Sequence, residues 1–522
     1  MIDAITLEVL KNAVIGAAEE MNAALIRTAY SPNIKERRDC SCALFDAQGQ
    51  MVAQAENIPV HLGAMLFSVK AALEHFEGFS PGDVIVLNDP FAGGAHLPDI
   101  TFVTPIFIDD ELIGFAANRA HHADVGGMRP GSIAGDATEI YQEGLRIPPV
   151  KLWRGGQLDR DLWSMILSNV RTSQEREGDL RAQYAANKIG RQRLIAITQR
   201  YGTRQMRDFF DEILNYAEQR MRAAISKMKP GRYEAEDFLD DDGIDDQPVA
   251  VRVTVTVEPE RITVDFSGSV PQVRGPLNAV FAVTASATYY TLRCLTDPEI
   301  PPNAGCYRPI EIRAPEGTIV NAKPPAAVVG GNLETSQRVV DVLLKALAPA
   351  APEKAIAACQ GTMNSLTIGG VNPRTGEPFT FYETLAGGFG ARPNKDGIDA
   401  IHSHMTNTLN TPVEVLETLY PVRIERYEIR EGSGGSGKFR GGNGLIREIR
   451  ALAPLSFSLL ADRRKISPYG LAGGRPGACG EDLLSRDEVT TRLKTKGSIQ
   501  LKPDDLVRIS TPGGGGFGKQ DS

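Results

Sequence analysis

The sequence has no long apolar run. Its longest apolar stretches fall well short of the roughly 18 consecutive apolar residues that a membrane-spanning helix needs, so we expect no membrane span. It also has no excess of positive charge: 57 Lys and Arg residues stand against 65 Asp and Glu residues, a formal net charge of −8. That balance argues against a nucleic-acid-binding protein. Residues 1–14 show neither a basic region nor a small-residue cleavage site, so we expect no signal peptide.

Cysteine and histidine are both scarce. The six cysteines are scattered along the chain, which indicates reduced thiols in a cytoplasmic protein rather than a disulfide framework. Cys40 and Cys42 would point the same way in a strand, but this pair alone does not predict a metal site. Only seven histidines are present, and three of them, His96, His121 and His122, lie close together in the sequence.

The length and an apolar content of 42% are those of a globular protein of two to four domains. Apolar residues recur every three or four positions in residues 5–28, which predicts an amphipathic helix. A helix is also expected at 63–76, and two more at 175–228, broken at Gly202 with Thr203 as the N-cap of the second.

Several strands are also predicted. Two short strands should flank a turn at 46–49, DVIVLND (83–89) should be a buried strand, and strict alternation in 251–266 predicts a hairpin. The chain is therefore expected to be an α+β protein with mixed or antiparallel sheets and flanking helices. A change of character near position 230 and a glycine-rich last third predict three domains, at 1–230, 231–345 and 346–522.

Three patterns resemble ligand sites but lack essential features. GSGGSGKF (432–439) follows a phosphate-binding loop until Phe439, which stands where Ser or Thr is needed, and RGGNG does not favour the helix that must follow. GGGGFG (513–518) leaves no room for a dinucleotide-binding helix. The acidic run at 237–246 has Phe238 and Val249 where an EF-hand needs oxygen ligands, so we expect a solvated turn.

The segments DITFVTPIFI (99–108) and LIGFAANRAH (112–121) predict two strands of a hairpin. A three-residue loop would pair position 108 with 112 and place Asp99 opposite His121, whereas a two-residue turn would shift the register by one. Directly opposed residues have Cβ atoms about 4.5–5.5 Å apart, close enough for both side chains to bind one metal ion.

His96 precedes Asp99 by three residues, and Pro98 excludes a helix interior there, so a turn can fold His96 back over Asp99. Together with His121 they form an open site suited to Zn, Mn or Fe, the 1–230 segment being the metal-bearing one. A single histidine is more often a hydrogen-bonded group than a ligand; the alignment with His121 is what favours the metal. His402 and His404 are a weaker second candidate, because no carboxylate follows closely.

A family resemblance enters at these residues. ERRDCSCALFD (36–46), NDPFAGGAHLPDITFVTPIF, ANRAHHADVGGMRPGS, GGNLETSQRV and GGGGFG resemble, in this order and over most of the chain, the hydantoinase B/oxoprolinase family. The resemblance implies the B subunit of an ATP-dependent cyclic amidase of the N-methylhydantoinase, oxoprolinase or caprolactamase type. Similar segments form half of single-chain oxoprolinases and one subunit of acetone and acetophenone carboxylases.

The resemblance also implies cofactors and a partner. One divalent transition metal would be held by Asp39 together with His96, Asp99 and His121, although Cys40 stands where family motifs often carry an aromatic residue. ATP and Mg would be bound by a partner A subunit with an actin-like fold, in a heterotetramer or larger assembly.

The implied reaction is hydrolytic opening of a hydantoin, oxoproline or lactam ring. Amide resonance, with a rotation barrier of ~18–20 kcal/mol, makes the carbonyl carbon a poor electrophile, and phosphorylation of its oxygen by the A subunit would remove that resonance. The metal would supply hydroxide. His122 or Asp124, beside His121, would move the proton or else support the metal ligands.

The sequence leaves two alternatives open. One is a subunit of an ATP-dependent ketone carboxylase, in which the metal would orient an enolate. The other is a non-enzymatic scaffold with a structural metal, because four protein ligands are enough to close a site. The sequence names neither the substrate nor the metal.

Overall fold

A computed structural model describes residues 3–55 and 58–520. Its N-terminal part contains seven strands, β1 (Cys40–Asp46), β2 (Met51–Gln54), β3 (Val84–Leu87), β4 (Asp99–Ile108), β5 (Glu111–His121), β6 (Val150–Arg154) and β7 (Gln157–Leu158). They form one sheet in the order β2-β1-β5-β4-β3-β6-β7, and its strand pairs are antiparallel. The helices of this part are α1 (Ala4–Thr28), α2 (Pro32–Lys35), α3 (Pro59–His75), α4 (Arg160–Ser168), α5 (Ser173–Tyr201) and α6 (Thr203–Ile225).

Helices α3 and α5 cover opposite faces of the sheet at β5. Asn118 donates to Asn187 of α5, whereas the next residue, Arg119, donates to Ser68 of α3. Consecutive strand residues point to opposite faces, so the two helices bracket the strand. The end of the β4–β5 hairpin is thereby shielded from water on both sides.

The rest of the chain contains three smaller sheets. The first has the strand order β11-β10-β9-β8. Its strands, with the helices α7 and α8 of the same part of the chain, are β8 (Gly231–Leu239), β9 (Val249–Glu258), β10 (Arg261–Asp265), α7 (Phe281–Leu295), β11 (Ile310–Arg313) and α8 (Ser336–Leu347). The other two have the orders β13-β12-β16-β19 and β14-β15-β20-β17-β18: β12 (Ser365–Val371), β13 (Pro378–Glu383), α9 (Val413–Leu419), β14 (Val422–Arg430), β15 (Gly444–Ala451), β16 (Leu455–Leu460), β17 (Glu481–Arg486), β18 (Val489–Arg492), β19 (Lys496–Leu501) and β20 (Leu506–Ser510).

This architecture confirms the predicted α+β class and most of the predicted elements. The helix expected at 5–28 is α1, the hairpin expected at 251–266 is β9 and β10, and the helix expected at 63–76 begins earlier, at Pro59. The break between α5 and α6 is at Gly202, but Thr203 is the first residue of α6 and not its N-cap. Gly202 takes the cap position with a φ of 89°, a conformation that glycine adopts without strain.

The acidic run at 237–246 is not the solvated turn that its composition predicts. Asp237 is buried and pairs with Arg338 (3.2 Å) and Arg463 (2.7 Å), and the same arginines contact two further buried carboxylates. We name this set the charge cluster: Asp237, Arg338, Asp341, Asp462 and Arg463. The arginine and aspartate partners come from α8 and from the segment after β16, which the sequence alone does not bring together.

The two glycine-rich segments pack against each other, backbone to backbone. Gly435 donates to the carbonyl of Gly514, and Phe439 donates to that of Phe517. A Cβ at Gly441 would lie 2.0 Å from the carbonyl oxygen of Gly514, so a larger residue does not fit there. These segments are close-packed turns, and no helix follows residue 439 to complete a phosphate-binding loop.

The largest apolar cluster of the described residues combines residues from Ala43 to Leu460 and so includes all three parts of the chain. Two further clusters lie around α1 and within the C-terminal sheets. The chain enters the second sheet at β8, which begins at Gly231. Division of the chain into three domains stays a prediction. The six cysteines all fall within the described residues and form no disulfide with one another. Within residues 3–55 and 58–520, no helix has both the length and the apolar character needed to cross a membrane.

Candidate metal centre

The β4–β5 hairpin closes through a two-residue turn. Asp109 and Asp110 have positive φ values of 48° and 63°, as a tight hairpin turn of this length requires, and Ile108 pairs with Glu111. The predicted three-residue loop is therefore wrong. A β-bulge follows, in which Ile113 of β5 is the extra residue opposite the step from Ile106 to Phe107, and it restores the predicted register over the rest of the hairpin.

Because of that bulge, Asp99 does lie opposite His121 at the far end of the hairpin. His96 folds back over Asp99, with its Nε2 atom 3.0 Å from Asp99 Oδ1, and His121 Nδ1 lies 3.3 Å from the same oxygen. One ligand atom from each of the three residues lies within 4.8 Å of the others. All three side chains are buried, with His96 and Asp99 fully inaccessible.

A third histidine, not predicted from the sequence, joins this group. His61, in the first turn of α3, places Nε2 3.3 Å from Asp99 Oδ2, and its Nδ1 lies 3.1 Å from Ser41 Oγ. We name His61, His96, Asp99 and His121 the histidine cluster. One signal was available: His61 and Ser68 are seven residues apart, so they share a face of α3, and the residues between them are apolar.

The C-terminal part of the chain closes the cluster. The ring of Tyr382, in β13, stacks on His121 with centroids 4.6 Å apart and an interplanar angle of 18°. Arg37 lies over the other side of Tyr382 and donates to its carbonyl oxygen at 3.1 Å. Asn33 donates to the carbonyl oxygen of His121 at 2.5 Å. Asn33 and Tyr382, with Arg37 behind Tyr382, thus hold the candidate ligand His121 in place.

The protonation states suit a cation. Burial would raise the pKa of Asp99, but His96 and His61 hold that pKa well below its usual value, so the carboxylate is ionised. Burial lowers the pKa of His121, which favours the neutral imidazole that binds metals. Among the described residues, both oxygens of Asp99 and the Nε2 atoms of His96 and His121 have no hydrogen-bond partner of ordinary geometry, and no Lys or Arg forms an ion pair with Asp99. The two-imidazole, one-carboxylate set fits a divalent transition metal.

Asp39 lies beside this cluster. It is buried, its carbonyl oxygen accepts from the backbone N–H of His121 at 3.0 Å, and its negative charge acts on the His121 ring. It is not among the three residues whose ligand atoms lie within 4.8 Å of one another. Its role as a fourth ligand therefore stays a prediction that rests on the family resemblance.

His122 and Asp124 face away from the cluster. His122 Nε2 lies 2.9 Å from Gln183 Oε1 of α5, and burial, with Arg176 nearby, lowers its pKa to about 4. Asp124 accepts from three backbone N–H groups and pairs with Arg171 at 3.0 Å. None of these contacts is with a candidate metal ligand, and the role of both residues, proton transfer or support of the ligands, stays a prediction.

The second candidate pair does not form a joint site. His402 and His404 lie outside the strands, and His404 has a φ of 52°. His404 Nε2 lies 3.3 Å from Asp341 of the charge cluster. Burial opposes its charge, but Cys359 and Asp341 raise its pKa to about 10, so His404 is a cation and not a neutral ligand.

Comparison with known sequences gives matches along the whole chain. The family model described as hydantoinase B/oxoprolinase matches residues 3–520. An uncharacterized protein of Methanocaldococcus jannaschii is 45% identical, covering 99% of this chain and 91% of its own length. A Pseudomonas sp. protein named as the B component of a D-/L-hydantoinase is 37% identical, covering 99% of this chain and 90% of its own length.

Two solved structures share the fold. An ATP-dependent caprolactamase from Pseudomonas jessenii superposes with a TM-score of 0.94 at 32% identity, covering 99% of this chain and 92% of that one. A nucleotide-free acetone carboxylase superposes with a TM-score of 0.92 at 22% identity, covering 99% and 76%. At that lower identity the second likeness concerns the fold alone.

Proposed function

Because the chain belongs to the hydantoinase B/oxoprolinase family, we propose that it is the metal-bearing B subunit of an ATP-dependent cyclic amidase, which opens a hydantoin, oxoproline or lactam ring by hydrolysis. The histidine cluster carries this proposal. It combines a buried, ionised Asp99 with the imidazoles of His96 and His121, and burial lowers the pKa of His121. No Lys or Arg of the described residues forms an ion pair with that carboxylate.

His96, Asp99 and His121 would hold one divalent ion, Zn, Mn or Fe, with Asp39 as the fourth ligand. When bound, such an ion supplies Lewis acidity and brings the pKa of a coordinated water from 15.7 to about 7. The protein's own part is to exclude bulk water and to hold the ligands still. Tyr382 does both, because it covers His121 and is itself buried.

A cavity near the histidine cluster is the candidate binding place for a small substrate. Its volume is about 250 Å³, and its walls include Ser41, Tyr290 and Asn407. Ser41 is one hydrogen bond from His61, which contacts Asp99. A small ring compound fits this volume, and the apolar wall at Ile58 and Pro59 suits its methylene groups.

The activation step requires a second protein. In the proposed reaction an unstrained amide is a poor electrophile and must be activated before hydrolysis. The 432–439 loop lacks the following helix whose N-terminus would bind phosphates. We therefore assign ATP and Mg to a partner A subunit. The name of the 37%-identical hydantoinase B component supports such a division of labour. A reactive phosphorylated intermediate must pass between the two proteins without meeting bulk water, which favours a lasting heterotetramer or larger assembly.

The test is to mix the purified chain with an A-type partner and each of hydantoin, 5-oxoproline and caprolactam. ADP and ring-opened product are followed together. We expect both products in equal amounts with one of the ring compounds, only when both proteins are present. His121→Ala should abolish ring opening, whereas His75→Ala, at an exposed histidine of α3, is the matched control and should not.

Two results would replace the proposal. Ring opening by this chain alone, without ATP, would make it a simple metal amidohydrolase. ADP release that requires bicarbonate and a ketone, with a carboxylated product, would establish the carboxylase alternative. The 32% identity to the caprolactamase over most of both chains favours the amidase.

A further inference from the structure

The two oxygens of Asp99 have different neighbours. Oδ1 faces the candidate ligands His96 and His121 at 3.0 and 3.3 Å, and Oδ2 faces His61 at 3.3 Å. His61 is 1% exposed, so no water competes for its ring. The carboxylate therefore faces two candidate ligands with one oxygen and His61 with the other.

Asp99 and Ser41 together define how the His61 ring is protonated. Nε2 faces the Asp99 carboxylate, 3.3 Å from Oδ2, where a bare nitrogen lone pair would repel the negative charge, so Nε2 carries the ring proton. Nδ1 is then an acceptor. Ser41 Oγ, 3.1 Å from Nδ1, donates its hydrogen to it while accepting from the backbone N–H of Ile58 at 3.4 Å.

We propose that His61, oriented by Ser41, is a positioning residue that holds Asp99 through Oδ2 so that only Oδ1 binds the metal ion. A carboxylate free to use both oxygens would fill an additional coordination position. Catalytic metal sites keep one position open, whereas structural sites are closed by protein ligands. His61 thus keeps the centre open to water or substrate. The inference rests on the metal centre of the proposed function, but not on which ring compound is opened.

The position of His61 on α3 restricts the movement of its side chain. Two residues further along, the backbone N–H of Gly63 donates to Ser286 Oγ of α7 at 3.1 Å. A Cβ at Gly63 would lie 3.0 Å from the Ser286 backbone, so α3 and α7 touch directly at this point. The first turn of α3 is therefore clamped between the sheet and α7, and His61 cannot swing away without moving the helix.

The experiment compares His61→Leu, His61→Gln and Ser41→Ala with wild type and with His75→Leu, the matched change at the other end of α3. Affinity for Co(II) is measured by competition with a chromophoric chelator, and the coordination number is read from the intensity of the Co(II) d–d bands. Gln retains an N–H donor at the reach of Nε2, whereas Leu fills the space without a donor.

We expect His61→Leu to bind Co(II) about 10–100-fold more weakly, the range typical of lost outer-shell partners, with weaker d–d bands because Asp99 turns bidentate. His61→Gln should restore both readouts towards wild type, Ser41→Ala should shift them in the direction of Leu, and His75→Leu should change neither. If His61→Leu does not fold, the spectrum of Ser41→Ala decides.

Three results would overturn the proposal. His61→Leu with wild-type affinity and spectrum would show that His61 does not hold Asp99. Pulsed EPR of the Mn(II) form that shows one histidine nitrogen fewer in His61→Leu than in wild type would make His61 a direct ligand. Wild-type protein that binds no divalent ion would remove the metal centre and this proposal together, whereas a metal-loaded protein inactive on all three ring compounds would refute only the proposed reaction.

Discussion

The histidine cluster and the charge cluster both bury carboxylates, but they neutralise them differently. In the charge cluster each aspartate meets at least one guanidinium, at distances from 2.7 to 3.2 Å, and Lys496 adds an ammonium at 2.9 Å from Asp462. The ion-pair partners of Asp99 among the described residues are imidazoles alone. A buried charge is strongly disfavoured unless it is paired. The charge cluster supplies its own cations, whereas the histidine cluster has the donor atoms that the proposed metal ion would use.

The contrast shows how a functional site differs from a structural joint of similar polarity. The charge cluster joins β8, α8 and the segment after β16, so its residues connect distant parts of the chain. The histidine cluster draws three of its four members from one hairpin and the turn before it. Complete pairing stabilises the fold, whereas incomplete pairing leaves donor atoms available to a ligand.

The largest expected effect lies in the histidine cluster. His96→Ala and His121→Ala should each weaken divalent-metal binding by more than about 100-fold, because each removes a direct ligand rather than an outer partner. Elemental analysis after purification without chelators measures this, with His75→Ala as control. Cooperative thermal unfolding should persist in both variants. A variant that unfolds outright would indicate a structural metal.

The second effect breaks the charge cluster. Arg338→Ala removes the guanidinium that contacts all three aspartates, Asp237, Asp341 and Asp462. It should lower the free energy of unfolding by about 3–5 kcal/mol, because Arg463 and Lys496 alone then face three buried carboxylates. Urea unfolding measures the loss. Arg232→Ala, which breaks an exposed pair, should cost less than about 0.5 kcal/mol. Metal content should stay at the wild-type value; a parallel loss of metal would show that the two clusters are coupled.

The third effect concerns another way to bury a carboxylate, by protonation. Burial raises the pKa of Glu143 from 4.5 to about 8, although the N–H groups of Val328 and Val329 donate to it. The folded state therefore binds a proton that the unfolded chain has released above pH 4.5. The stabilisation is complete below pH 4.5 and is lost as the pH rises towards 8, by at most ~1.4 kcal/mol per pH unit for this group.

Glu143→Gln should flatten this dependence, because Gln keeps the acceptor oxygen and does not titrate. Urea unfolding at half-unit steps from pH 5 to 8 makes the comparison. Burial also raises the pKa of Glu334 to about 8, so the variant should retain part of the slope. An unchanged profile in Glu143→Gln would mean that Glu143 is ionised in the folded protein.

The smallest effect is expected away from both clusters. Mg-ATP titrated into the isolated chain should give no heat of binding, because the 432–439 loop is packed on residues 513–518 and lacks a following helix. Isothermal calorimetry tests this, with Lys438→Ala as a companion that should behave like wild type. Micromolar binding that Lys438→Ala removes would refute it.

Local sequence patterns predicted much of the fold and three of the four residues of the histidine cluster, but not His61. The alternation in 251–266 and the period of residues 5–28 depend on neighbouring residues only, and the H-x-x-D spacing with Pro98 specifies the turn at His96. The bulge at 106–107 had no such signal, and the register held only because the bulge offsets the shorter turn. His61 was missed because α3 begins four residues before its predicted start.

The burial of the acidic run at 237–246 was not predicted because it depends on residues far away in the sequence. Its partners, Arg338 and Arg463, lie 101 and 226 positions beyond Asp237. Composition distinguishes a charged turn from an apolar strand, but it does not reveal which distant charge will meet it. Long-range pairing of this kind depends on how the sheets assemble, which single-sequence patterns do not encode.

The stack of Tyr382 on His121 has a consequence for how the protein matures. During synthesis the two histidines and Asp99 leave the ribosome long before β13, since Tyr382 lies 261 positions after His121. Until β13 docks, the hairpin end lacks the cover that Tyr382 provides, and an ion bound there would be open to exchange. With the proposed metal centre, the ion that stays would therefore be selected only when β13 packs over His121.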